Sequence, residues 1–261
     1  MRSPTMKRQL RVMVLTAALG PLVYWGPGML EAVRGLDMFA VETVDVTGIE
    51  VLTEEAVIER MDLGSFASVW GDVELWRARI EADPLVRSVE IHRRVPHGLL
   101  VQVEERIPVA LAATPLLEAL DADGVRLPLD PTVHRLDLPI ISSRQSLPDD
   151  AVVFPDEVSS LAAEVEHLTA THQDFAHRIS TIRWYAPGVV AVRLTSPDVD
   201  FVMPMRTTGS RIREGESALG HAMQERAGRP PAEVDLRFAE QVVIRSESSG
   251  PALSTLSAGS R

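Results

Sequence analysis

Between Val12 and Leu30 the chain runs "VMVLTAALGPLVYWGPGML", nineteen residues without a charge. That is close to the roughly 20 apolar residues a helix needs to cross a hydrocarbon core of about 30 Å. Arg2, Lys7, Arg8 and Arg11 precede it with no acid among them. A basic flank of this kind stays on the cytoplasmic side and sends the C-terminal body across the membrane. Tyr24 and Trp25, near the far end, suit the aromatic belt of an interface. Residues 1–11 therefore read as a cytoplasmic tail and 12–32 as a transmembrane anchor, although Gly20, Pro21, Gly26 and Pro27 interrupt the run. A cleaved signal peptide shares the charged-then-apolar layout, but no A-x-A pattern comes soon after the apolar core. A buried helix of a soluble domain is the third reading.

The remainder is long enough for one or two cores, since 45% of the 261 residues are hydrophobic and 24% charged. Acids predominate beyond residue 35 and the net charge is −11, which makes the body a poor nucleic-acid binder. The absence of cysteine excludes disulfides and thiolate metal sites and leaves the redox compartment unmarked.

After the anchor, "FAVETVDVTG" alternates apolar positions before a glycine and reads as a strand of about seven residues. Thr53 can cap a helix over "TEEAVIERM", with Glu54 and Glu55 at the positive end of its dipole. A second helix spans Asp72 to Ala82, with Val73, Trp76 and Ile80 on one side, and stops before Pro84. In "VEIHRRVPHGLLVQVEERIPVAL", Val89 and Ile91 alternate with Glu90 and His92, "VPHG" turns, and Leu99, Val101 and Val103 alternate again. Its charges therefore read as the solvated side of a hairpin, with His92, Arg94, Gln102 and Glu104 opposite the core.

Beyond Pro108, "LLEALDADGVRLPL" reads as two short strands joined at Asp123-Gly124, a pair suited to a tight turn. "DPTVHRLDLPIISSRQSLPDD" reads as a connector. A helix from Pro155 to about His172 carries Val158, Leu161, Ala162, Val165 and Leu168 on one stripe. It is expected to pack across a meander of "RISTIRWY", "VVAVRLTS" and "VDFVMPM". Another helix is expected over roughly Gly215 to Arg226. "EVDLRFAEQVVIR" then forms a strand pair or one long strand ending at Arg245, and residues 246–261 lack apolar periodicity and read as a disordered tail. The derived fold class is α+β, with two small outer domains behind the anchor.

No catalytic set emerges. His167, His172 and His177 are spaced by five, which turns successive side chains about 140° apart on a helix, so a solvated polar face is favoured over a metal site. His92 and His97 flank a turn. "DADG" lacks the remaining ligands of a calcium loop, and "GESALG" misses the G-x-S-x-G elbow by one residue. Neither a G-x-G-x-x-G nor a P-loop occurs.

The ordered set of a basic tail, one span, "FAVETVDVTGIEVLTEEAVIERM", "EADPLVRSVEIHRRVPHGLLVQVEERIPVAL", "LDADGV" and "PAEVDLRFAEQVVIR" resembles the FtsQ/DivIB-type bacterial cell-division protein. The resemblance implies a β-α-α-β-β POTRA domain over 38–107 and a second, mixed-sheet β domain over 108–245. It also implies a single-pass inner-membrane scaffold at the division septum that binds FtsB/FtsL-type membrane proteins. No enzyme activity, cofactor, metal or small-molecule ligand is carried over. The terminal "VDLRFAEQVVIR" is either an inner strand or a sheet edge open to a partner segment. On the edge reading, Arg237 and Phe238 lead the candidate partner-binding residues, followed by Val242, Ile244 and Arg245. Two other readings stay open. One is a POTRA chaperone for exported proteins, although no run of barrel strands comes after the POTRA block. The other is an anchored extracytoplasmic enzyme or solute-binding module using the cleft between the two domains.

Overall fold

Among the described residues of the N-terminal half, both α-helices begin where a short polar side chain can satisfy an otherwise free N–H group. The Thr53 hydroxyl accepts from Ala56 N and opens α1 (Glu54–Met61). The Asp72 carboxylate accepts from Leu75 N and opens α2 (Val73–Glu81). The computed structural model describes residues 37–113, 116–143 and 152–246, in two compact units that divide between Glu105 and Arg106.

In the first unit β1 (Thr43–Thr47), β2 (Val86–Arg94) and β3 (Gly98–Glu105) form one sheet in the order β1-β3-β2. β3 runs parallel to β1 and antiparallel to β2. Alternation sends Val89, Ile91, Val101 and Val103 into a core with Val57, Met61, Trp76 and Ile80. The expected β-α-α-β-β order is the observed one, with β1 five residues long rather than about seven. His92, Arg94, Gln102 and Glu104 are exposed, and Arg94 pairs with Asp45 at 2.6 Å. Arg93 behaves differently, donating to the Val69 and Gly71 carbonyls and so fixing the loop before α2.

Among the described residues the second unit holds one mixed sheet of nine strands. Its strands are β4 (Ala110–Ala113), β5 (Leu117–Leu120), β6 (Arg126–Leu127), β7 (Ile140–Ser142), β8 (Ile179–Ala186), β9 (Val189–Leu194), β10 (Val199–Pro204), β11 (Glu233–Asp235) and β12 (Val243–Arg245). Their spatial order is β12-β11-β10-β9-β8-β7-β4-β5-β6. The chain turns between β5 and β6 at Gly124, whose φ of +79° suits a residue without a Cβ.

The long helix α4 (Asp156–Thr171) matches the expected stripe: Val158, Leu161, Ala162, Val165 and Leu168 are buried against Ile182, Val190 and Val192 of the meander. Short α5 (Gln173–Ala176) adds Phe175, which meets Phe201 edge to face at 5.1 Å.

Two expectations need correction. α6 (Gly209–Glu225) begins six residues before Gly215, because the Thr208 hydroxyl caps it by accepting from Arg211 N. Gly215 instead lies inside the helix, where a Cβ would stand 2.9 Å from Leu236 and 3.0 Å from Phe201. The glycine lets α6 approach β10 and β11. The proline-rich connector also holds more than a link: α3 (Pro131–His134), and β7, which pairs parallel with both β4 and β8.

The tail at 1–11, the anchor at 12–32 and all of the C-terminal tail beyond Ser246 lie outside the described residues. Among the described residues, no helix is long and apolar enough to cross a membrane.

Candidate functional site

The terminal strands sit at one end of the nine-stranded sheet. β11 pairs parallel with β10, and β12 pairs antiparallel with β11 through Glu233↔Arg245, Val234↔Ile244 and Asp235↔Val243. β12 is the edge, with no strand on its other side among the described residues. Of the two readings of this segment, an inner strand describes β11 and an edge describes β12.

The five sequence-derived residues divide accordingly. Ile244 and Arg245 lie in β12, Val242 just before it, and Arg237 and Phe238 in the loop after β11. Val242 and Ile244 are half-buried and pack on the core. Phe238 leaves 43% of its surface in water. Arg237 is engaged inside the protein. Its Nε and Nη2 donate to the Asp235 carboxylate at 2.9 and 2.6 Å, and its Cζ lies 5.0 Å from the Tyr185 ring centroid and 5.9 Å from that of Phe238.

Asp235 is fully buried and is the hub of this end. Besides Arg237 it accepts from Arg245 Nη2 at 3.0 Å, while Arg245 Nη1 reaches Glu233 at 2.6 Å. The hydrogen bonds from Arg237 outweigh the cost of burial and hold the Asp235 carboxyl below its ordinary range. The same bond raises the Arg237 guanidinium further above neutrality. One buried carboxylate thus joins β11, the loop and β12.

Sequence reasoning missed two contributors. Arg211, in the first turn of α6, donates through Nη2 to the Phe238 and Gln241 carbonyls, so it holds the backbone that presents Phe238. Arg226, the C-cap residue of α6, bonds to Ser246 Oγ just beyond β12. Only the tertiary fold pairs these residues; nothing in their local spacing announces it.

The histidine expectation also needs correction, because α4 ends at Thr171 and the three residues do not share one helix. His172 accepts from Phe175 N and faces Glu216 at 3.2 Å, and His167 is half-buried beside the Thr207 carbonyl; His177 is exposed. Near His167, buried Glu164 takes Arg206 N on both oxygens at 2.9 and 3.0 Å, yet desolvation still pushes its carboxyl up. Within the second unit a cavity of about 430 Å³ is lined by Asp156, Glu157, Ser160 and Trp184 to Pro187. The Trp184 indole N–H there is already used on the Glu157 carbonyl.

Comparison with known proteins agrees with the topology. The family described as POTRA domain, FtsQ-type, matches residues 39–106. A cell division protein FtsQ of Myxococcus fulvus is 26% identical over 213 residues, covering 80% of this chain and 71% of that protein. One from Syntrophotalea carbinolica is 29% identical over 148 residues, about half of each chain at 52%. One from Streptomyces collinus is 35% identical over 123 residues, 46% of each. The β-α-α-β-β unit, the mixed sheet that follows it in sequence and these likenesses together support an FtsQ/DivIB-type protein.

Proposed function

We infer that this protein is a non-catalytic scaffold of the bacterial cell-division complex, held in the inner membrane by residues 12–32 with its body on the outer side. Its POTRA domain (38–107) docks other division proteins. Its β domain (108–245) recruits an FtsB/FtsL-type complex by accepting a partner segment along β12. Edge recognition of this kind draws affinity from backbone hydrogen bonds and selectivity from alternate side chains. The observation that carries the reading is that β12, beside half-exposed Phe238, has no strand on its outer side among the described residues. On this reading Phe238, Val242 and Ile244 supply apolar contact. Arg237 and Arg245, locked on Asp235, hold the edge straight and present charge at its rim.

The test is co-purification of FtsB/FtsL-type proteins from solubilised membranes with the intact chain, with Phe238→Ala, and with a chain ending at Gln241 that lacks β12 but keeps β11. Capture is expected to fall about tenfold or more in both variants. Undiminished capture by both, with circular dichroism unchanged, would reject the terminal strand as the recruiting element. A fluorescent fusion is expected to gather at midcell; even spread around the cell would favour a chaperone for exported proteins instead.

A further inference from the structure

Phe66 is the most exposed large apolar side chain among the described residues, with 94% of its surface in water. It does not stand alone. Ala40 bridges Ser68 in antiparallel fashion, Val41 N donates to the Ala67 carbonyl, and Val69 N donates to the Phe39 carbonyl. Residues 38–41 and 66–70 therefore form a short ribbon, and it presents Met38 (60% exposed), Phe66 and Trp70 (39%). The β2–β3 hairpin tip lies at the same end, since Glu42 N and Thr43 N both donate to the His97 carbonyl, and it adds Val95 at 54% exposure. Phe39 holds Trp70 edge to face at 6.1 Å, and the Arg93 guanidinium sits 5.9 Å from the Trp70 ring.

A single exposed apolar residue is ordinary; four at one end of a small unit, with an Arg beside a Trp, are the composition of a bilayer interface. The occupant is set by chain length. From Ala32, where the expected anchor ends, to Asp37 is five residues, so the ribbon begins within at most about 18 Å of the anchor's end whatever path the chain takes. The headgroup layer itself adds roughly 5–8 Å on each side of the hydrocarbon core. We propose that the end of the POTRA domain formed by Met38, Phe66, Trp70 and Val95 rests in the interfacial layer of the lipid bilayer. The site orients the domain on the membrane instead of leaving it to swing on a tether. The proposal rests on residues 12–32 being a membrane anchor. Insertion is apolar in origin, so zwitterionic lipid suffices and the acidic body opposes strongly anionic surfaces.

The chain lacks cysteine, so Ser65→Cys creates a unique thiol beside Phe66, and Glu50→Cys one beyond the far end of β1; both positions are exposed. Full-length protein labelled at either thiol with an environment-sensitive fluorophore is reconstituted in phosphatidylcholine vesicles containing spin-labelled lipid. Quenching at position 65 is expected to exceed that at position 50 by about twofold or more, and Phe66→Asp to erase the difference. Equal quenching at both positions in protein that floats with the vesicles would overturn the docking while leaving the anchor intact. Failure to float would instead reject the anchor. Quenching at position 65 that disappears as protein is diluted in lipid would assign the patch to a second copy and overturn the proposal as well. Near-ultraviolet dichroism from buried Trp76 checks that the Phe66→Asp chain remains folded.

Discussion

Two buried carboxylates illustrate how neighbours decide what burial does to an acid. Glu164 accepts one backbone N–H, and desolvation prevails, so its charge is unfavourable in the folded state. Asp235 has two guanidiniums, and its charge is favoured. For Asp235 the folded pKa lies below the unfolded one. Its stabilisation is therefore fully present above the unfolded value of about 3.9 and is lost as pH falls through the folded value. Asp235→Asn is expected to cost about 2–3 kcal/mol at neutral pH, less than a wholly buried pair because both guanidiniums still reach water. The variant should also lose this part of the acid sensitivity. Urea midpoints between pH 3 and pH 7 measure both effects, and a variant as stable and as acid-sensitive as the parent would remove Asp235 from its place as hub. The D-x-R spacing of Asp235 and Arg237 is visible in the sequence. The third member, Arg245, joins only through the β11–β12 register, which local pattern does not specify.

Elements were legible where they carry their own signals. α1 and α2 announce themselves by Thr53 and Asp72 at the cap, α4 by a five-residue apolar stripe, and the β2–β3 hairpin by strict alternation around "VPHG". β7 does not, because three residues among prolines have no periodicity and its partners, β4 and β8, lie far away in sequence. The start of α6 was obscured by "GSRIREGE", where glycines and charges break the apolar rhythm. Gly215 gives that helix a test. Alanine in a helix interior is favoured over glycine by about 1 kcal/mol. Here the new methyl would press on Leu236 and Phe201, both buried to within 2%. Overpacking costs roughly 1–3 kcal/mol and should win, so Gly215→Ala is expected to destabilise the protein and loosen β11 above it. Hydrogen exchange at Val234 and Leu236 reads the effect, and a net gain in stability would mean that the contact with α6 is softer than described.

At the scale of the molecule, each compact unit has its own core. Val57, Met61, Trp76, Ile80 and Leu99 belong to one, and Leu161, Leu168, Phe175, Ile182 and Phe201 to the other, with no buried residue in common. The proposed scaffold role gains from this, because strain at one proposed docking surface need not unfold the other unit. The division at Glu105 and Arg106 falls at the point where hairpin alternation gives way to "IPVAL", so the sequence marks it by a change of pattern. Leu99 is fully buried in β3, and Leu99→Ala is expected to remove about 2–5 kcal/mol from the first unit. If the units fold independently, hydrogen-exchange protection across β2 and β3 should fall by at least about thirtyfold while that across β8 to β10 stays unchanged. An equal fall in both would show a single cooperative structure, and a partner bound at β12 would then be expected to stabilise the POTRA domain as well. The exchange experiment thus decides whether the two proposed docking surfaces are energetically coupled or only tethered.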